Sequence, residues 1–156
     1  MLAALFTASG VLAAETALRT HINRAPPGVY PHNLTRHVQL RRAHNRGLVG
    51  SRLEDRPRLV LALQTVSACV AVGAAVLVHV PEARVPLFGR LGAGLLVGGA
   101  LANTGERYLR GAVTDYLYLK NSRIPLLRRR IWNLADAAVF NGALLTAAGL
   151  ALGGGL

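Results

Sequence analysis

Charge is scarce in this chain. Only 16% of its 156 residues are Asp, Glu, Lys or Arg, whereas 52% are apolar and the mean hydropathy is +0.36. An ordinary soluble domain carries about 25% charged residues, so that class is excluded. Cysteine is scarcer still. Cys69 stands alone and lies within an apolar run, which rules out an intramolecular disulfide and leaves a small apolar filler. Several chemical signatures are missing as well. There is no His-Glu-x-x-His and no zinc-type spacing among His21, His32, His37 and His44, which read as surface histidines. No Ser/His/Asp order, Gly-rich phosphate loop or internal repeat stands out.

What is present is a set of long apolar runs. About 20 apolar residues cross roughly 30 Å of hydrocarbon. Leu59 to Val80 meets that length without a charge, and Ile131 to Leu156 does so with Asp136 as its sole charge. Met1 to Ala14 and Leu91 to Gly105 are shorter, ending at Glu15 and Glu106. Arg90 can snorkel to lengthen the second of these, and the first can continue through Ala17 and Leu18. The first run lacks a basic leading region and reads as a span rather than a cleaved leader. The expected fold is therefore an all-α membrane protein, one domain over residues 1–156, with four transmembrane helices at about 1–19, 59–80, 86–107 and 131–154.

Between the first two spans the chain turns polar, and Pro26, Pro27, Gly28 and Pro31 break any helix. Short strands are expected around His37 to Leu40 and Gly47 to Val49, forming a small β-element that lies on the membrane. Tyr108, Tyr116 and Tyr118 sit among basic residues between the third and fourth spans, as an interfacial segment would place them. Gly94 and Gly98 form a small-xxx-small pair suited to close helix packing.

The net charge of +11 would point to nucleic acid in a soluble protein. Here 16 of the 18 basic residues fall in the two links Arg19 to Arg58 and Arg107 to Arg130. Basic residues beside spans meet lipid phosphates, and no aromatic platform for stacking bases is visible. Membrane lipids, anionic ones included, are the expected partners, and nucleic acid is not.

A carboxylate inside a span marks a functional site, and Asp136 is that residue. Asn133 precedes it by three positions and shares its helical face. Asn103, Glu106, Arg107 and Arg110 make one polar stripe if the third helix continues that far. Asp115 follows them, on the same side of the membrane as Asp136. Two carboxylates in contact cannot both ionise easily, so one keeps a proton while the other acts as a base, which is machinery for activating water against an amide. A plainer arrangement is also open, with Asp115 paired to an arginine and Asp136 capping the last helix.

The run Asn103-Thr-Gly-Glu106-Arg107-Tyr-Leu-Arg-Gly111-Ala-Val-Thr-Asp115-Tyr116, followed by Trp132-Asn133-Leu-Ala-Asp136, resembles the paired signature of the lipoprotein signal peptidase (signal peptidase II) family. Asn45-Arg-Gly47 is similar to the family's Asn-x-Gly, and Glu15-Thr-Ala-Leu-Arg19 to its Asp-x-x-x-Lys. The order and spacing of these motifs agree over nearly the whole chain. The resemblance implies an aspartic endopeptidase that removes the signal peptide of a diacylglyceryl-modified prolipoprotein, cleaving before the lipidated cysteine. Asp115 and Asp136 take the catalytic positions, with a water held between them. Asn45, Gly47, Asn103, Arg107 and Asn133 take positions that shape the site and hold substrate backbone. Glu15, Arg19 and Glu106 join them, replacing the family's Asp, Lys and Asp, and these exchanges bear on substrate grip.

The resemblance further implies a monomer without cofactors in the bacterial cytoplasmic membrane, multi-pass, with its active site at the outer face. The positive-inside rule alone predicts the opposite orientation for so basic a side. The alternative is a non-catalytic relative that binds lipidated peptide or anionic lipid.

Overall fold

The computed structural model describes residues 1–48 and 51–153. Four long helices carry the chain: α1 (Leu2–Arg24), α2 (Pro57–Leu77), α3 (Leu87–Arg110) and α5 (Leu134–Leu152). A single turn, α4 (Pro125–Arg128), lies in the link before α5. Local chemistry sets the ends. Ala25 is extended ahead of Pro26, which stops α1, and Pro57 opens α2, where a missing N–H costs nothing. Gly111, at φ 71°, takes the left-handed position that ends α3 and returns its N–H to the Arg107 carbonyl at 2.8 Å.

Helix α3 is the centre of the bundle, packed by α1 on one side and α5 on another, while α2 packs mainly on α3 alone. Glycine makes this possible. A Cβ at Gly98 would sit 2.8 Å from the Ala8 carbonyl oxygen, and one at Gly99 would sit 2.5 Å from the Ala135 carbonyl oxygen. The backbones of α1 and α5 therefore touch α3 directly. At the far end Val78, Ala83, Val85 and Ala93 close a small apolar core.

Large apolar side chains point outward, among them Leu5 and Phe6 on α1, Val66, Val70 and Val76 on α2, and Phe140 and Leu144 on α5. Helices α1, α2 and α5 are long and apolar enough to cross a membrane. Helix α3, although 24 residues long, is not among them: glycines stand where bulky apolar residues would, and its last turns carry the polar stripe. The chain is a multi-pass membrane protein, and among the described residues three helices meet the length and composition of a span.

The β-element is larger than expected and differently made. Strands β1 (His32–Asn33), β2 (Val38–Asn45), β3 (Val113–Leu119) and β4 (Ile131–Trp132) form one antiparallel sheet in that order. Half of it therefore comes from the link between α3 and α5, not from the link between α1 and α2. An all-α description is corrected to a mostly helical one with a four-stranded sheet. Gly47 and Leu48, expected in a strand, form a bend, and Val49 lies outside the described residues. Tyr116 is buried in β3 rather than interfacial.

Candidate active site

Pairing of β2 with β3 sets Asp115 opposite Ala43 and brings Asn45 to Val113, so the end of β2 lies beside the start of β3. The turn of Gly111 drops the chain from α3 into β3, carrying Asp115 below the last turns of that helix. Asp136 arrives from the first turn of α5. Asn133 is the N-cap of that helix: its side-chain oxygen accepts the Asp136 N–H at 2.8 Å, and Asp136 returns Oδ2 to the Asn133 N–H at 3.3 Å. This is a capping box, so the capping role for Asp136 is real. The same asparagine also donates Nδ2 to Asp115 Oδ1 at 2.7 Å. One side chain thus ties the two aspartates together.

Each aspartate has its other oxygen held as well. Asn45 Nδ2 donates to Asp115 Oδ2 at 3.2 Å, and Asn103 Nδ2 donates to Asp136 Oδ1 at 3.0 Å. Neither aspartate has an ion-pair partner among the described residues. The arginine pairing open to Asp115 is thus not found. Burial raises the Asp115 carboxyl to about 7, and the negative charge of Asp136 adds to the rise against the hydrogen bonds from Asn133 and Asn45.

Arg107 forms a clamp. NH1 donates to the Asn45 and Arg46 carbonyls at 3.2 and 2.9 Å, NH2 to the Gly47 carbonyl at 2.8 Å, and Nε to Gln64 on α2. Gly47 is needed there because a Cβ would lie 2.8 Å from the Ser51 Cα and closer to other backbone. The amide and guanidinium groups expected to hold substrate are therefore directed at the aspartates and at the loop that positions them.

Glu15, Arg19 and Glu106 do not line the same cavity. They form a buried layer between α1 and α3. Arg19 pairs with Glu15 at 2.9 Å and Glu106 at 3.1 Å, and its NH2 donates to Asn103 Oδ1 at 2.6 Å. Glu106 accepts from Thr114 N–H and hydroxyl at 2.9 and 2.7 Å, fixing β3 beside Asp115. Glu15 accepts the Ala135 N–H at the start of α5 and the Tyr116 hydroxyl at 3.3 Å. Burial and the neighbouring Glu15 raise the Tyr116 phenol above its usual value, so it remains a donor.

The aspartates open onto a cavity of ≈ 520 Å³. Its polar wall holds Asn45, Asn103, Asn133 and both aspartates; its other wall is apolar, with Leu96 and Ala100 on α3, Ala71 on α2, and Val139 and the partly exposed Phe140 on α5. Gln64, Thr114, Tyr116, Arg130 and Trp132 join the site without having been singled out for it. Gln64 carried a readable signal, as the longest polar side chain inside the second apolar run. The four histidines named above are all exposed.

The family described as signal peptidase (SPase) II matches residues 8–152. A lipoprotein signal peptidase of Chlorobium luteolum is 34% identical over 109 residues, covering 66% of this chain and 62% of its own length. That of Brucella ovis is 31% identical over 111 residues, 68% of this chain and 62% of its own. That of Nitrobacter hamburgensis is 32% identical over 85 residues, covering 51% of this chain and 50% of its own. The chain spans between half and about three-fifths of the length of these curated relatives. Two bacterial membrane enzymes solved by the in meso method share the fold. One, at 2.3 Å, has a TM-score of 0.78 at 20% identity over 96% of this chain and 87% of its own. The other, at 1.9 Å, has 0.73 at 21% identity over 94% and 91%.

Proposed function

The chain belongs to the signal peptidase II family, and from that premise we propose that it is a membrane aspartyl endopeptidase acting on diacylglyceryl-modified prolipoproteins. It removes their signal peptide by cutting before the lipidated cysteine. The observation that carries this reading is the double use of Asn133, which holds Asp115 and caps the turn bearing Asp136. Two carboxyl groups from different elements are thereby set on the wall of one cavity.

In this mechanism the pair carries one proton between them near neutral pH, and the two titrate as a unit. The ionised carboxylate takes a proton from a water between them as that water attacks the scissile carbonyl. The protonated partner donates its proton to the carbonyl oxygen; as the resulting diol collapses and the C–N bond breaks, that partner takes a proton back from a diol hydroxyl, and the carboxyl that took the water's proton passes it to the leaving amine. Asn45 and Arg107 fix Asp115 through the loop at Gly47, and Asn103 fixes Asp136. Glu15, Arg19 and Glu106 act through those groups and do not touch substrate.

The apolar leader lies along the apolar wall between α2 and α5, where those helices make at most marginal contact and the cavity meets the bilayer. We take α3 as a fourth span, shielded from lipid by α1, α2 and α5, which relaxes its need for bulky apolar residues. The whole is one membrane-embedded domain, acting as a monomer. We place its aspartates at the outer face of the bacterial cytoplasmic membrane, where an exported substrate presents its cleavage point.

The test is cleavage of a diacylglyceryl-modified prolipoprotein by purified protein in detergent, alongside Asp115→Asn and Asp136→Asn. Cleavage by the wild type and loss in both variants is expected. Undiminished cleavage by either variant would overturn the two-carboxylate mechanism. Binding without cleavage by any form would favour a non-catalytic relative.

A further inference from the structure

Two arginines line the cavity, and their guanidinium groups are in opposite situations. Arg107 has its nitrogens committed to Gln64 and to the carbonyls of residues 45–47. Arg130 is half-buried, and one of its terminal nitrogens, Nη1, is shielded from solvent with no hydrogen-bond partner among the described residues. Leaving a charged donor buried and unpaired costs more than a typical hydrogen bond returns, so such a group is poised for an incoming acceptor. It sits just before β4, three residues ahead of Asn133, and the strand is held on β3 through Trp132 opposite Leu117. The Trp132 ring is fixed as well, its Nε1 donating to the Leu127 carbonyl at 3.3 Å.

We propose that Arg130 is a specificity-determining residue that takes a carboxylate side chain of the substrate on the mature side of the scissile bond. This rests on the reading of the cavity as the substrate site. The direction follows from the two walls. An apolar leader occupies the side of Leu96, Val139 and Phe140, so the chain beyond the aspartates leaves past the sheet, where Arg130 stands. An acidic side chain there would otherwise meet two carboxyl groups with no cation paired to them. The Arg130 guanidinium offsets that repulsion and supplies a charge-assisted hydrogen bond. Exposed Arg128 and Arg129 continue the basic path outward.

The sole tryptophan, Trp132, lines the same cavity and makes binding measurable without turnover. Two diacylglyceryl-cysteine peptides, differing only in Asp or Asn at the position after the cysteine, are titrated against wild type and Arg130→Gln in neutral detergent. Trp132 fluorescence reads Kd. The wild type is expected to favour the acid on the order of tenfold, and Arg130→Gln to bring the ratio to about one. A ratio near one in the wild type, or one that persists in Arg130→Gln, overturns the proposal. Repeating the titration with phosphatidylglycerol vesicles separates the other source of an anionic oxygen. An Arg130-dependent response to that lipid, with no preference between the peptides, assigns the group to a phosphate and likewise overturns it. Acid-selective binding without cleavage supports the role of Arg130 while removing the peptidase reading.

Discussion

Glu15, Glu106, Asp115 and Asp136 lie close together at one end of this molecule, yet they form two layers with opposite electrostatics. Glu15 and Glu106 enclose Arg19, at 2.9 and 3.1 Å, with all three buried. Asp115 and Asp136 meet no cation at ion-pair distance among the described residues and are held by neutral amides instead. The contrast teaches that, once burial is shared, the partner distinguishes what a buried carboxyl does. The carboxyl groups beside the guanidinium tie α1, α3, β3 and the start of α5 together and serve as structure. A carboxyl held by amides and pressed by a second carboxyl keeps a proton that can be exchanged near neutral pH.

The contrast is broken most sharply by removing either member of the amide-held pair. Asp115→Asn and Asp136→Asn are each expected to lower kcat for prolipoprotein cleavage about a thousandfold, measured in detergent with the folded state checked by gel filtration. Next in size is the loss of the enclosed cation. Arg19→Met strands two buried carboxylates, and a cost of about 3–5 kcal/mol is expected, read as a fall in the thermal unfolding midpoint. If that variant unfolded like the wild type, the inner layer would not be the structural one.

Removing Asp115 should do the reverse to stability. Its carboxyl is raised to about 7 when folded, against about 3.9 in an unfolded chain. The folded state therefore binds the proton more tightly, and stability falls as pH rises from about 4 to about 7. Asp115→Asn, which has no charge to bury, is expected to unfold a few degrees above the wild type at pH 8, with the gap closing toward pH 4. Cleavage by the wild type should likewise decline above about pH 7, as the pair loses its shared proton. The smallest effect sharpens the link between the layers. Asn103→Ala disconnects Arg19 from Asp136 and should lower kcat about tenfold with a shift in unfolding midpoint smaller than that of Arg19→Met.

Much of this was legible in the sequence, for reasons that differ by element. Long uncharged runs and the stops at Pro26, Pro57 and Gly111 are local, so the helices could be read directly. Asp136 stood out because a charge in an apolar run is conspicuous, and Asn133 because it lies one helical turn away. The sheet was only half visible. Strand β3 finds its partner some 70 residues earlier in the chain, and nothing in Val113–Leu119 announces that pairing. The inner layer was invisible for a related reason. Glu15, Arg19 and Glu106 were read as part of a substrate-facing site, since a motif gives position along the chain but not which side of α3 a group faces. The readable glycine pair at Gly94 and Gly98 hinted at close packing; the third helix's role as the shared neighbour of all the others came only with the fold.

Helix α2 differs from its companions in resting mainly on α3, with an outward face of Val66, Val70 and Val76 and little contact with α5. The bundle is in this sense a barrel with one stave left out, and the cavity at that opening is lined by apolar side chains of α2, α3 and α5. On the proposed function, a signal peptide entering from the lipid would supply that stave, and the substrate would complete the wall of the compartment in which it is cut. Once the bond was broken, the borrowed piece would lose its tether, and the opening that admitted it would be its way out.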